Sequence, residues 1–361
     1  MKLLRLFAAI TVSVVSSMAM ADELRIYNWY EYIPTDVISD FEKETGTSVI
    51  YDAYDSQEAM EAKLLTGGSG YDLAFSGAVG IDRLIRAGSI VKLDQSKLSN
   101  VGNIDPAFMK LERAAGDSKN EYAVPYLWGT NIIGYNQQAV KKATGKDTLS
   151  TWDDVLALEN IKKLSECGVT FLDSPSEIMP IFLSYLGLPP DSTKKADYDK
   201  VEEYLKTIRP YIRSFNSSTF MANLADGEVC VAVAWSGALA VSGQNAAKAG
   251  KDFNIKLALP ENGAPVWFDS MVIPAGAPNA EAAHKFIDFL LRPEVIARCS
   301  NAAMYANPNS KADTLVSEAL SGDPALYPSA EIKDRLYPLV ALPLKAEKIR
   351  TRAWTKIKTA N

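Results

Sequence analysis

Arg25-Ile26-Tyr27-Asn28-Trp29-Tyr30-Glu31-Tyr32-Ile33 is an apolar run that ends in three aromatic rings and one carboxylate, packed into the four positions Trp29 to Tyr32. Its first part, Leu24 to Asn28, reads as a buried strand. Pro34-Thr35-Asp36 then opens a helix with Ile38 and Phe41 on its apolar face, and Gly46 ends it. Thr47 to Tyr54 reads as a second strand. Asp55 and Glu58 have capping-box spacing for a helix through Leu65. Gly67 to Gly70 is a turn, Tyr71 to Ser76 a third strand, and Ile81 to Ala87 a helix closed by Gly88. This strand–helix alternation predicts an α/β fold with a largely parallel sheet. Open sheets of that kind bind ligands outside the carboxyl ends of their strands, where Trp29 to Tyr32 lies. A carboxylate among rings suits an organic cation, with cation–π attraction of about 0.5–2 kcal/mol per ring. The plainer alternative is a strand end with aromatic core residues, and the rest of the chain has to decide between the two.

Tyr122 to Tyr135 reads as extended chain passing between two layers. Helices are expected at Trp152 to Leu164, Ala196 to Ile208, Phe220 to Ala225 and Ala280 to Leu291, and the tail from Ile332 reads as helical and basic. Val169 to Leu172 is a strand that runs into Asp173-Ser174-Pro175-Ser176-Glu177. Val229 to Trp235, Ile255 to Pro260 and Val266 to Ile273 are further strands. Aromatic and acidic residues recur at these strand ends: Trp29 with Glu31, Asp173 with Glu177, Trp235, and Trp267 with Asp269. Strand ends from distant parts of the chain can converge on one crevice.

The 361 residues suffice for roughly two or three domains. Lys2 and Arg5, the apolar run Leu6 to Val15 and the small-x-small site Ala19-Met20-Ala21 mark residues 1–21 as a secretory signal peptide. No later segment holds the roughly 20 apolar residues that a membrane span needs. An exported, water-soluble protein is expected. With 38 basic against 44 acidic residues the chain is mildly acidic, a poor partner for nucleic acid and a reasonable collector of cations. The three cysteines, Cys167, Cys230 and Cys299, allow three pairings in a disulfide-permissive compartment. The single histidine, His284, lies mid-helix, and with three scattered cysteines it argues against a zinc site. No nucleophile elbow, Walker loop or dinucleotide fingerprint occurs. Glu31 and Asp269 could pair in a glycosidase only with a raised-pKa acid. No enzyme activity, catalytic residue, metal or cofactor is expected.

Several stretches together carry a family pattern: Tyr27-Asn28-Trp29-x-Glu31-Tyr32-Ile33, Phe41 to Gly46, Tyr71-Asp72-Leu73, Pro125-Tyr126-x-Trp128-Gly129, Trp267-x-Asp269-Ser270, Leu290 to Pro293 and Arg350 to Lys356. In these the chain resembles, nearly end to end, the periplasmic spermidine- and putrescine-binding proteins of ABC transporters. The resemblance implies a two-lobed periplasmic binding protein of type II, α/β, with a ligand cleft and crossover strands as a hinge. The crossovers would fall near Tyr126 to Gly134 and near Trp235 to Gly250. One lobe would comprise 22–128 plus about 240–300, the other about 129–239 plus about 301–361. It further implies a polyamine cage. Trp29, Trp235 and Trp267 would be its walls, and Glu31, Glu177 and Asp269 its acids, with Tyr32 and Tyr305 beside them. Tyr30 would belong to the same wall. Cys167 and Cys230 would form a disulfide, leaving Cys299 free and buried.

Four positions depart from the family pattern. Ala238 stands where the putrescine branch has an acid, and Gly77 where it has a serine. Tyr30 replaces a small hydroxyl residue, and Ser174 stands where the spermidine branch has an acid. These differences favour a triamine, spermidine or norspermidine, over putrescine. The expected partner is an inner-membrane ABC permease, or else a membrane GGDEF/EAL signalling protein if the chain is a norspermidine sensor. A periplasmic monomer is expected in either case.

Overall fold

In a computed structural model the described residues are 22–359, apart from 55, 329–331 and 333–334. The predicted signal peptide, residues 1–21, and Asp55, predicted as a helix cap, lie outside the described residues. Ser56 caps the Gln57–Leu65 helix, its side chain accepting from the Ala59 N–H at 3.2 Å.

The strands in chain order are β1 (Glu23–Trp29), β2 (Ser48–Tyr54), β3 (Leu73–Gly77), β4 (Ala123–Asn136), β5 (Val169–Phe171), β6 (Ser214–Phe215), β7 (Val231–Trp235), β8 (Ile255–Ala258), β9 (Pro265–Val272) and β10 (Tyr337–Pro338). The sheet runs β2-β1-β3-β9-β4-β7-β5-β6, with β8 on β4 and β10 on β9. β1 pairs in parallel with both β2 and β3, as the alternation predicts. Leu24 and Ile26 are inward and fully buried. The Thr35–Thr45 helix stops at Gly46, whose φ of 74° is the left-handed conformation that glycine takes freely.

The sheet is not largely parallel throughout. Two parallel groups, β2-β1-β3 and β7-β5-β6, are joined by antiparallel pairings of β4 and β9. β4 is buried along all 14 residues because it belongs to two cores. Ala123 to Thr130 pairs with β9, and Asn131 to Asn136 pairs with β7 and β8. One core gathers Phe41, Phe75, Tyr126, Met271 and Phe286. The other gathers Ile132, Trp152, Phe171, Phe182 and Val233.

β4 crosses where Tyr126 to Gly134 is expected to cross. The chain does not return at Trp235 to Gly250. That stretch forms the Ser236–Lys248 helix, and β8 after it still pairs with the second part of β4. The return runs along β9, which joins β3 and the first part of β4. The stretch 236–250, where the family resemblance implies a crossover, packs as a helix. Trp152–Leu164 is likewise two short helices, Asp153–Leu156 and Leu158–Leu164, broken at extended Ala157. The tail enters the sheet at β10 before its helix, Leu344–Thr359, begins. Cys167 is bonded to Cys230, and Cys299 is free and buried. His284 is buried, accepting from the Asp94 N–H through Nε2 at 2.8 Å. No described helix is long and apolar enough to cross a membrane.

Candidate ligand-binding site

Parallel strands of both groups end at one cavity of about 430 Å³, a volume in the range of small-molecule sites. β1 delivers Trp29 at its last residue, and β7 delivers Trp235 at its last residue. Glu177 lies in the first turn of the Pro175–Tyr185 helix, which follows β5. Trp267 and Asp269 are not at a strand end. They sit inside β9, where that strand crosses between the cores. Tyr305 follows the Pro293–Ala303 helix. All nine residues singled out in the sequence line this cavity: Trp29, Tyr30, Glu31, Tyr32, Glu177, Trp235, Trp267, Asp269 and Tyr305. Asp173 does not. Its carboxylate instead accepts from the Trp354 indole at 2.9 Å and pairs with Lys358 of the tail helix.

The rings line the cavity in two groups. Trp29 packs on Tyr54 with centroids 4.5 Å apart and stands 6.2 Å from Trp235. Tyr305 meets Trp267 edge-on at 5.0 Å and Tyr32 at 5.9 Å. This closeness requires glycine at 129, where an added Cβ would lie 2.7 Å from the Trp267 ring and 3.0 Å from Tyr305. Tyr30 is different in kind: 73 % exposed, it stands at the mouth beside Glu31, which is also exposed. Glu31 adopts φ 53°, a left-handed conformation unusual for a residue with a side chain.

Asp269 is buried and Glu177 half-buried, and both are already hydrogen-bonded. Asp269 Oδ2 accepts from the Tyr32 hydroxyl at 2.8 Å. Glu177 Oε2 accepts from the Trp235 indole N–H at 2.6 Å and from the Asn131 side-chain amide at 2.8 Å. Burial outweighs these bonds. It pushes Asp269 up to about 7, with the Tyr32 hydroxyl opposing the rise and the Glu177 charge adding to it. The Trp29 indole, whose N–H has no partner at hydrogen-bond geometry, also opposes that rise. Glu177 is raised too, again mainly by burial, against its bonds to Asn131 and Trp235. A cavity with rings for walls and carboxylates withdrawn from water, under-compensated by their hydrogen bonds, attracts a cation that carries apolar surface.

Residues that the sequence did not single out complete the site, Asn131 from behind the lining and the others on it. Asn131 lies in β4 and orients Glu177. Its signal is a lone amide within the apolar stretch Trp128 to Ile133. Gln57 reaches in from the start of its helix, and Ser217, Ser218, Phe220 and Met221 come from the segment after β6. Phe220 packs edge-on against Trp235 at 5.8 Å. Nothing in their local sequence separates them from ordinary helix starts and loop residues.

Residues 36–328 match the family model described as bacterial extracellular solute-binding protein. The chain is 41 % identical to the putrescine-binding periplasmic protein PotF of Escherichia coli, over 98 % of this chain and 95 % of that one. It is 42 % identical to the putrescine-binding periplasmic protein SpuD of Pseudomonas aeruginosa, over 98 % and 97 %. Among solved structures, a putative spermidine/putrescine ABC transporter protein from Listeria monocytogenes superposes with a TM-score of 0.83 at 32 % identity, over 94 % of this chain and all of that one.

Proposed function

Since the chain belongs to the bacterial extracellular solute-binding protein family, we propose that it is a periplasmic polyamine receptor that supplies a membrane ABC permease and prefers a triamine, spermidine or norspermidine. The observation that carries this reading is the set of acids on the cavity. Among the described residues three carboxylates line it, Glu31 at the mouth and Glu177 and Asp269 within. A triamine has three ammonium groups to meet them. Its methylenes lie against Trp29, Trp235 and Trp267, where each buried CH₂ contributes about 0.8 kcal/mol. Each ammonium–carboxylate contact is a charge-assisted hydrogen bond, stronger than a neutral one. A diamine would leave one carboxylate without a cation, which is how such a site measures length.

The relatives named as ABC transporter components favour transport as the outlet over signalling. We place the lobe limits by the two cores: Tyr126 and Met271 belong to one, and Ile132 through Ala264 with Trp354 to the other. Closure of these lobes around ligand would then present the occupied receptor to its partner. The test is a calorimetric panel of putrescine, cadaverine, norspermidine, spermidine and spermine. Tightest binding by a three-nitrogen ligand is expected. A panel in which none binds overturns the receptor assignment, and one led by putrescine overturns the triamine preference.

A further inference from the structure

Gln57 is held more firmly than a residue at the start of a surface helix needs to be. Its amide nitrogen donates to Glu61 Oε1 at 3.0 Å and to Ser76 Oγ at 3.3 Å. Glu61 is buried and is itself paired with Arg83. The amide oxygen faces the other way and accepts the Gly77 N–H at 2.9 Å. A backbone N–H can only donate and the Glu61 carboxylate accepts, so the amide has one orientation. That oxygen keeps a second lone pair, and Gln57 lines the cavity.

Gly77 supplies the second observation. Its φ is −57°, ordinary for any residue, so glycine is not required there by the backbone. What the missing side chain does is leave space. A Cβ at this position would lie 3.0 Å from Gln57 Oε1 and 3.5 Å from Asp269 Oδ1. Two acceptor oxygens, one neutral and one acidic, thus flank the same vacancy at the end of β3. An ammonium group points three donors in different directions, and with Asp269 Oδ2 taken by Tyr32 the remaining oxygen, Oδ1, cannot meet them all.

We propose that Gln57 is a specificity-determining ligand residue: its amide oxygen and Asp269 Oδ1 flank the space left by Gly77 and together hold one ammonium group of the ligand. The inference rests on the polyamine reading. Arg83 and Glu61 act behind it as positioning residues, because they fix which end of the amide meets the ligand.

The test is a double-mutant cycle read by calorimetry with spermidine, using Gln57→Leu, Gly77→Ala and the pair. Gln57→Leu removes the acceptor. Gly77→Ala keeps the backbone N–H but fills the vacancy and pushes on the amide oxygen. Each single change should weaken spermidine by about tenfold or more, the worth of a hydrogen bond to a charged group. The double variant should be no weaker than about threefold below the weaker single one, since both remove the same interaction. Thermal unfolding is measured alongside, and the loss should persist in variants that melt with the wild type. Gln57→Leu binding within threefold of wild type overturns the proposal. So does full additivity of the two losses. If Gln57→Leu fails to fold, the Gly77→Ala variant alone decides, and affinity within threefold of wild type overturns the proposal. Wild-type protein that binds no polyamine at all would instead overturn the receptor reading, so the two failures are distinguishable.

Discussion

Asp269, buried, and Glu177, half-buried, face one cavity from opposite cores, and their surroundings differ. Asp269 is carried on β9 and accepts one side-chain hydrogen bond, from the Tyr32 hydroxyl. Glu177 is carried on a helix start and accepts two on a single oxygen, from Trp235 and Asn131. Both are raised by burial. The lesson is that the less compensated acid has more to gain from a cation. A ligand ammonium should therefore be worth more at Asp269 than at Glu177.

The comparison can be broken first by charge removal. Asp269→Asn should weaken polyamine binding by about a hundredfold or more, from loss of a buried ionic contact. Glu177→Gln should cost clearly less, about tenfold, and calorimetry giving the reverse order would break the comparison. The next effect in size is pH. Asp269 in the empty folded site titrates near 7, well above the ordinary carboxylate range. The ammonium needs its anionic form, so binding releases a proton, and affinity should fall about tenfold from pH 8 to pH 6. The same shift means that the empty folded protein binds this proton more tightly than the unfolded chain does. Asp269 therefore makes the empty protein lose stability as pH rises from about 4 through about 7. A flat affinity profile over that window would remove Asp269 as the titrating contact.

Smaller changes sharpen the picture of the Glu177 wall. Trp235→Phe keeps a ring but removes the indole N–H, and should weaken binding by about fivefold, near the net worth of one hydrogen bond. Ala238→Asp adds an acid to the cavity lining. Because the putrescine branch of the family pattern has its acid at this position, the change should leave spermidine binding within a few fold and raise the rank of putrescine, the place of the acid here outweighing the number of acids. An unaltered ranking in the same titrations would remove Ala238 from the determinants of length.

The parts of this molecule legible in its sequence are those where several signals share one short stretch. Trp29 to Tyr32 couples a strand end to rings and an acid, so its place on the cavity is readable locally. Glu177, Trp235, Trp267 and Asp269 stood out as rings and acids at predicted strand ends, but so did Asp173, which lies off the cavity; the family pattern separated them and added Tyr305, because their meeting depends on crossings that no local signal encodes. The return crossing shows why. Residues 236–250, where the family resemblance implies a crossover, pack as a helix against β4 and β8, and β9 makes the crossing instead. Asn131 and Gln57 were silent for a related reason: each is a single polar residue whose role is set by a partner far away in the chain, Glu177 for one and Gly77 for the other.

If acids from both cores grip the nitrogens of one polyamine, a crystal structure with spermidine will show it. One ligand nitrogen is expected about 3 Å from Asp269, another about 3 Å from Glu177 and the third at the mouth by Glu31, with methylenes against Trp29 and Trp235. Spermidine bound elsewhere, or bound in the cavity with no nitrogen at Asp269 or Glu177, is the opposite result.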